Sequence, residues 1–517
     1  MRKKFKVLQI GTQNDTAAFE SNNNIYWQFV HIERLIEPYE IIEGLKVFLK
    51  KAKAFDFILI EAHKTDELMM VIEDIVTPYN TYVTSTYWPE FESLKLTRQM
   101  LIREFSAPNR EALIEKIKSI AYVGQYGDKI HTKSIVAHPS FKGQVEYLGN
   151  KYVAFDCPEK NEFVPIATWR YNIFYEKDRV LEVWPEFEID NELDMQLRIR
   201  MIPSGTIGML TEEYVVALED LQEPIKFKRL DYEAYLSITV EVKGKGKLLL
   251  GALHRRWSRL EFGSFLMGGK RFADDQRNEF IYYLHPGDLK PPLNVYFSGY
   301  RTAEGFEGYF MMNMFDAPFL LIADPRLEGG SFYMGSQEYE HAIKEVIEQS
   351  LEQLGFNSDD LILSGLSMGS FGALYYGAQL NPAAVIAGKP LVNVGTIADN
   401  MKLLRPNDFG TANDVLMSLT GGTSKEHIAA LNEKFWKVFS DSDLSQTTFA
   451  LSYMMHDDYD LLAFDDLLHV LSEKHVKTIS RAIPGRHNDD SSTINNWFVH
   501  FYNVLLETEF GRIPHDR

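Results

Sequence analysis

Asp360-Leu361-Ile362-Leu363-Ser364-Gly365-Leu366-Ser367-Met368-Gly369-Ser370-Phe371-Gly372 reads as a buried strand running into a GxSxG turn and then a helix. Such a nucleophile elbow puts a serine at the tip of a strained strand-to-helix turn, where Oγ is exposed and the helix dipole and backbone N–H groups gather around it. The glycines have a steric task. A Cβ at Gly365 or Gly369 would collide with the neighbouring strand or helix, and Gly372 lets the helix sit close to the sheet. Chance supplies a bare GxSxG in roughly one such chain in ten, so the strand and helix around it carry the reading.

A serine hydroxyl is a poor nucleophile near neutral pH and needs a base to take its proton and a third group to orient that base. In α/β-hydrolases these follow in the order Ser, Asp or Glu, His. His487 stands just beyond the last predicted strand, in Pro484-Gly485-Arg486-His487-Asn488-Asp489, and its placement suits a general base better than that of the other histidines. The acid is expected after the preceding strand, in Met455-His456-Asp457-Asp458-Tyr459-Asp460. Asp457, nearer the strand end, is the expected orienter; Asp458 is its rival and otherwise a cap for a helix beginning near Leu461. Asp489 and Asp490 are expected to cap the final helix.

An oxyanion hole needs two backbone donors. The expected pair is the N–H of Met368 and that of Tyr300, in Phe297-Ser298-Gly299-Tyr300-Arg301 after the first hydrolase strand. Arg301 is either a contact for an anionic or hydroxylated substrate or the partner of a surface acid. Asp324-Pro325-Arg326 reads as a turn.

Outward from the elbow, 517 residues exceed one hydrophobic core and divide into roughly three domains. Residues 1–135 alternate strand signals (Lys6 to Ile10, Phe55 to Ile60) with helical ones (Thr97 to Phe105, Arg110 to Ile120), as in a Rossmann-like open α/β sheet. The first turn, Gly11-Thr12-Gln13-Asn14, lacks GxGxxG, which argues against a dinucleotide site. Residues 136–288 change to period two, as at Met195, Leu197, Ile199 and Met201, with a hairpin expected at Gly244-Lys245-Gly246; they read as a β-sandwich. Such a sandwich can hold sugars on aromatic faces, and Trp169, Trp184 and Trp257 are the candidates, although packing is the commoner use of such rings. Residues 289–517 return to strand-helix alternation, as expected of a C-terminal α/β-hydrolase catalytic domain, with a Gly- and Asn-rich excursion from Gly395 to about Ser445 long enough for a lid. The overall expectation is thus an α/β fold of three parts.

Composition sets outer bounds. A charged fraction of 25% and a hydrophobic fraction of 45% belong to an ordinary globular protein, and a net charge of −19 argues against a phosphate-tracking nucleic-acid binder. The single cysteine, Cys157, rules out an intrachain disulfide and fits a reducing compartment. Met1-Arg2-Lys3-Lys4 looks like a basic signal segment, yet Lys6 and Gln9 break the apolar run that follows, which reads as a first strand. A cytoplasmic location is expected, with no metal site and no tightly bound cofactor.

The GLSMGSFGA elbow, the FSGYR loop, the MHDDYD segment and PGRHNDD, behind an α/β region and a β-sandwich, resemble the second accessory secretory protein of the accessory Sec system of Gram-positive bacteria. The resemblance spans the chain. It implies a role in export of serine-rich repeat glycoprotein adhesins, assembly with the other accessory secretory proteins and the accessory Sec ATPase, a peripheral membrane association through those partners, and O-acetylation of N-acetylglucosamine on the adhesin, with Ser367 as nucleophile, Asp457 as acid and His487 as base. The acetyl donor is not implied. The residues alone also suit a serine esterase or deacetylase, which differs only in using water as acceptor, and a non-catalytic scaffold of the translocase is the third reading.

Overall fold

The computed structural model describes residues 4–35, 39–51, 55–404 and 411–512. The fold is mixed α/β, with three β-sheets.

The first sheet is five-stranded and parallel. Its strands Phe5–Gly11, Ile25–His31, Phe57–Glu61, Thr81–Thr84 and Arg103–Phe105 lie in the order second, first, third, fourth, fifth. Phe57 to Ile60 are fully buried because helices cover both faces of the sheet. The helix expected over Thr97 to Phe105 is shorter: Lys95–Met100 is helical, Leu101 turns the chain in the left-handed region (φ 54°), and Arg103–Phe105 joins the sheet as its edge strand.

The second sheet has ten strands and is organised by two long ones, Tyr152–Trp169 and Ala234–Trp257. The hairpin expected at Gly244-Lys245-Gly246 is absent. The chain runs straight through as one 24-residue strand, and the glycines, at φ 99° and 152°, are where its register against Tyr152–Trp169 shifts. A Cβ at Gly244 would lie 2.2 Å from the Glu192 carbonyl, so the bend depends on glycine. Both halves of the bent sheet turn their apolar faces into one core, with Leu236, Ile238, Val240 and Val242 from one half and Leu248, Leu250 and Leu253 from the other.

The third sheet carries the elbow. Its strands Lys270–Ala273, Glu279–His285, Leu293–Phe297, Phe319–Ala323, Leu361–Leu366, Ala384–Gly388, Thr448–Met454 and Thr478–Ile483 stand in the order first, second, fourth, third, fifth, sixth, seventh, eighth. Glu279–His285 pairs antiparallel with both its neighbours, Lys270–Ala273 and Phe319–Ala323, and the remaining pairs are parallel. Alternation splits the central strands between two cores. Val295, Leu363, Val385 and Leu451 face the helices Gln337–Leu354 and Met368–Leu380, whereas Tyr296, Ile362, Ile386 and Ala450 face the closing helix Ser491–Thr508. Ser336 caps the helix 337–354 at its start through the Tyr339 N–H, and Gly355 ends it in the left-handed region.

Sheet membership departs from the expected divisions at 135 and 288. Gly127–Ile130 pairs with the long strand of the second sheet, and Lys270–Ala273 and Glu279–His285 belong to the third. Leu293–Phe297 is therefore the third strand of its sheet, not the first. The excursion from Gly395 to about Ser445 is built of helices, Val394–Leu404, Thr411–Thr420 and Lys425–Asp441; residues 405–410 lie outside the described residues. Phe435 packs on Phe371 and Tyr375, which seats this excursion against the helix that follows the elbow. Trp169 and Trp184 are buried, Arg271 and Arg277 lie over the Trp184 ring, and Trp257 is enclosed by Tyr122, Tyr126 and Arg179. The buried Trp169 and Trp184 rings present no open face to a sugar, and Trp257 is half-buried.

Candidate active site

Ser367 sits between the strand Leu361–Leu366 and the helix Met368–Leu380 at φ 55° and ψ −122°, a conformation that costs a non-glycine residue about 1–3 kcal/mol. Its surroundings enforce it. The Ser367 N–H donates to the Gly388 carbonyl at 2.8 Å, and its own carbonyl accepts from the Ser370 N–H at 2.9 Å. A Cβ at Gly365 would lie 2.1 Å from the Gly369 carbonyl oxygen, one at Gly369 would lie 2.1 Å from that of Phe297, and one at Gly372 would meet the Phe297 ring at 2.7 Å. The turn is this tight because three glycines allow backbone to touch backbone.

Two more loops converge on the serine from the carboxyl ends of neighbouring strands. His487, 1% exposed, stands 2.8 Å through Nε2 from Ser367 Oγ and 2.7 Å through Nδ1 from Asp457 Oδ2. A carboxylate only accepts, so Nδ1 carries the proton and Nε2 is left to accept from the serine hydroxyl. Asp457 is held by its own turn, with Oδ1 accepting from the Tyr459 N–H at 2.9 Å. The Tyr459 ring packs at 4.2 Å from the imidazole and its hydroxyl accepts from Asn488 Nδ2.

The neighbouring aspartates divide the work on this histidine. Asp457 takes the ring, and Asp458 Oδ1 accepts the His487 backbone N–H at 3.1 Å. Asp458 is therefore not the helix cap expected of it: the helix Ala463–Glu473 starts later and Leu462 is its cap position. Asp490 caps the final helix through the Thr493 N–H, whereas Asp489 accepts the Arg486 N–H inside the histidine loop. Asp460, which the sequence did not single out, accepts from the Val392 and Asn393 N–H groups and from Asn393 Nδ2, tying the acid's loop to the chain after Gly388; burial pushes its carboxyl up from the ordinary value.

The loop after Phe297 lies against the elbow. A Cβ at Gly299 would lie 3.2 Å from the Leu366 carbonyl, one at Gly329 would enter the Tyr300 ring, and one at Gly330 would strike the Met368 side chain. Tyr300 is 36% exposed. Met368 supplies the first residue of the helix, so its N–H is among those the helix leaves unpaired. Arg301 is half-buried and its backbone N–H donates to the Gly329 carbonyl. Asp324 and Arg326 form a buried bidentate pair, and Asp324 also accepts the Ser331 and Tyr333 N–H groups; the turn itself falls just after, at residues 327–329. Two residues that no motif marks stand here: Glu307, whose Oε2 accepts the Gly299 N–H at 2.9 Å, and Lys389, at φ 51°, whose Nζ lies 3.3 Å from Ser491 Oγ. Burial lowers the Lys389 ammonium from its ordinary value, against the attraction of Asp457 and Glu307. Among the described residues no group of three or more His, Cys, Asp or Glu side chains is arranged to hold a metal ion, and no helix is long and apolar enough to cross a membrane.

A strained serine on a strand-to-helix turn, in contact with a histidine that is in turn held by a carboxylate, has the arrangement of a nucleophile, base and orienter. Residues 5–512 match the accessory Sec system GspB-transporter family, and the chain belongs to that family. The accessory Sec system protein of the same family from Staphylococcus aureus (strain NCTC 8325 / PS 47) is 50% identical over 516 residues, 100% of this chain and 99% of that one. Its counterpart from Streptococcus gordonii is 38% identical over 514 residues, 99% of this chain and 100% of that one. Among solved structures, a chain of the Glycosylation Associate Protein (Gap123) complex from Streptococcus agalactiae is similar at a TM-score of 0.90 and 36% identity, covering 99% of this chain and 100% of that chain.

Proposed function

We propose that this accessory Sec system protein is an acyltransferase of the α/β-hydrolase type that moves an acetyl group to N-acetylglucosamine on a serine-rich repeat glycoprotein adhesin and supports the adhesin's export. The observation that carries the catalytic part is the continuous hydrogen-bonded series Ser367 Oγ, His487 Nε2, His487 Nδ1, Asp457 Oδ2, with separations of 2.8 and 2.7 Å. The eight-stranded order and the chain order Ser, Asp, His support the α/β-hydrolase reading.

In the first half-reaction Ser367 Oγ attacks the acetyl carbonyl as its proton passes to His487 Nε2. The imidazolium is stabilised by Asp457, and the Met368 and Tyr300 N–H groups receive the oxyanion. Collapse breaks the bond to the donor, which leaves with the proton from Nε2 and an acetyl ester on Oγ. In the second half-reaction Nε2 takes a proton from a sugar hydroxyl, the new ester bond forms, and the Oγ–carbonyl bond breaks with return of the proton to Oγ. Arg301 is assigned to the sugar side of the site. Water in place of the sugar would make the same apparatus an esterase.

Likeness to a chain of the Gap123 complex supports assembly with other accessory secretory proteins, and family membership supports placing the protein in the cytoplasm, at the membrane through the accessory Sec ATPase. A division into three domains is part of this reading, and the presence of three separate sheets among the described residues supports it.

The test is transfer of a labelled acetyl group from an activated ester, with water and a GlcNAc-bearing serine-rich peptide offered as competing acceptors. Acetylated peptide formed by the wild type and not by Ser367→Ala is the expected result; acetate release with no acetylated peptide would make the protein an esterase. In cells, Ser367→Ala is expected to export adhesin with less acetyl on its N-acetylglucosamine, whereas deletion of the whole protein stops export; unchanged acetylation in the serine variant would reject the transferase reading.

A further inference from the structure

The elbow supplies one oxyanion donor from its own helix, but the other comes from a loop, residues 298–308, that has little regular structure of its own. That loop is held from outside. The Glu304 carboxylate, 5% exposed, is 2.5 Å from His254 Nδ1 and accepts from Arg256 Nε at 2.6 Å. Both partners lie on the long strand Ala234–Trp257 of the second sheet. The Glu304 N–H donates to the Gly127 carbonyl, and Gln125 grips Phe306 twice, accepting its N–H at 2.9 Å and donating to its carbonyl at 2.7 Å. The fit leaves no slack: a Cβ at Gly127 would lie 2.8 Å from Glu304 Cβ, and one at Gly305 would lie 2.8 Å from Gln125 Oε1. Glu307, next along the loop, then folds back to accept the Gly299 N–H.

The network behind this grip is buried and balanced. His254 lies between two carboxylates, with Nε2 2.8 Å from Glu186 Oε1, so only a ring protonated on both nitrogens can donate to both. Arg256 also pairs with Glu279 at 2.5 Å, and Lys129 Nζ donates to the Pro325 carbonyl. A buried charge cluster of this cost needs a reason beyond stability, since apolar packing would serve that at least as well.

We infer that Glu304 is a positioning residue for the reaction: through Glu304, Phe306 and Glu307 the second sheet sets where the Tyr300 N–H stands relative to Ser367. The inference rests on the reading of Ser367 as nucleophile. Its consequence is kinetic. A donor displaced from the oxyanion loses transition-state stabilisation while ground-state binding is spared, so kcat falls and KM does not.

The test compares full-length Glu304→Gln and Gln125→Ala with the wild type and with Arg198→Gln, which breaks a partly buried ladder of ion pairs to Glu213 and Glu241 on the same sheet, away from the loop 298–308. Gln125→Ala removes only the grip on Phe306 and keeps the question open to test where Glu304→Gln fails to fold. Steady-state hydrolysis of p-nitrophenyl acetate gives kcat and KM, and a methylboronic acid, which forms a tetrahedral anion on the serine, reports the oxyanion site. Glu304→Gln is expected to lower kcat about tenfold to a hundredfold with KM within about twofold, and to weaken boronate binding by the same factor. Gln125→Ala is expected to move both in the same direction by less, and Arg198→Gln to move neither. Wild-type kcat and boronate affinity in folded Gln125→Ala or Glu304→Gln, where Ser367→Ala is inactive, overturns the inference and leaves the nucleophile in place. Activity surviving in Ser367→Ala overturns both.

Discussion

The turn at Ser367 and the loop 298–308 are assigned the same task, holding a backbone N–H at a reacting carbonyl, and they are built in opposite ways. The elbow is a local device: three glycines within eight residues, a strained serine and the first turn of a helix set its geometry, with the closest backbone contacts to the adjacent strands. The loop is a remote one. Its position depends on Gln125, Gly127, His254 and Arg256, which lie about 50 to 180 positions away in sequence and belong to another sheet or the segment leading into it. A local device can be read from a short stretch of sequence and fails as a unit, whereas a remote one can be adjusted by whatever touches its far end.

The largest effect that can break this comparison is at the elbow itself. Ser367→Ala is expected to abolish labelling by a fluorophosphonate probe and to cost acyl transfer about 10⁴-fold or more, and His487→Ala is expected to cost nearly as much, since members of such a set act as one unit. Labelling that persists at wild-type level in the alanine variant would remove the serine from the account.

Next in size is the contrast between the two aspartates. Asp457→Asn is expected to lower kcat by about a hundredfold or more, because an amide facing Nδ1 favours the wrong tautomer. Asp458→Asn keeps an oxygen for the His487 N–H and is expected to cost less than about tenfold. The reverse order in a kcat comparison would exchange their roles.

How much of this was legible follows the same local and remote division. The strands Leu293–Phe297, Phe319–Ala323 and Leu361–Leu366 are mostly apolar, broken only by Asn294 in the first and Ser364-Gly365 in the last, because both faces of their sheet are covered, and the helix 337–354 shows its stripe and its glycine stop. Ser367, Asp457 and His487, which the structure brings into hydrogen-bond contact, each follow a strand end and could be chosen from spacing. The boundaries could not. Gly127–Ile130 and Glu279–His285 look like continuations of their sequence neighbours, and only their partners across the fold assign them to a sheet. Gly244 and Gly246 carry the composition of a hairpin yet bend one strand, because a long partner strand runs past both of them. Glu304 and Glu307, in Ala303-Glu304-Gly305-Phe306-Glu307-Gly308, have the pattern of exposed loop acids, and nothing local shows that a histidine and an arginine of the second sheet bury one of them.

The smallest expected effect sharpens the remote half. Against the opposing cost of burial, Glu304 and Glu186 raise the His254 imidazole above its ordinary value of 6.5. A group whose folded value is raised stabilises the fold fully below the unfolded value and loses that contribution as pH rises through the folded one. The wild-type Tm is therefore expected to fall by roughly a few degrees relative to His254→Gln as pH is taken from 6.5 upward. A Tm difference between the two that does not change with pH would mean that folding leaves the proton affinity of the imidazole unchanged.

The most direct measurement of the central claim is capture of the acyl-enzyme. Wild-type protein mixed briefly with p-nitrophenyl acetate, quenched in acid and digested, is examined by mass spectrometry for the peptide spanning Ser367. The account predicts one acetyl group on Ser367, removed in the wild type by a GlcNAc-bearing acceptor faster than by water. Acetyl found on other residues with Ser367 unmodified, or the same adducts in Ser367→Ala as in the wild type, would contradict it.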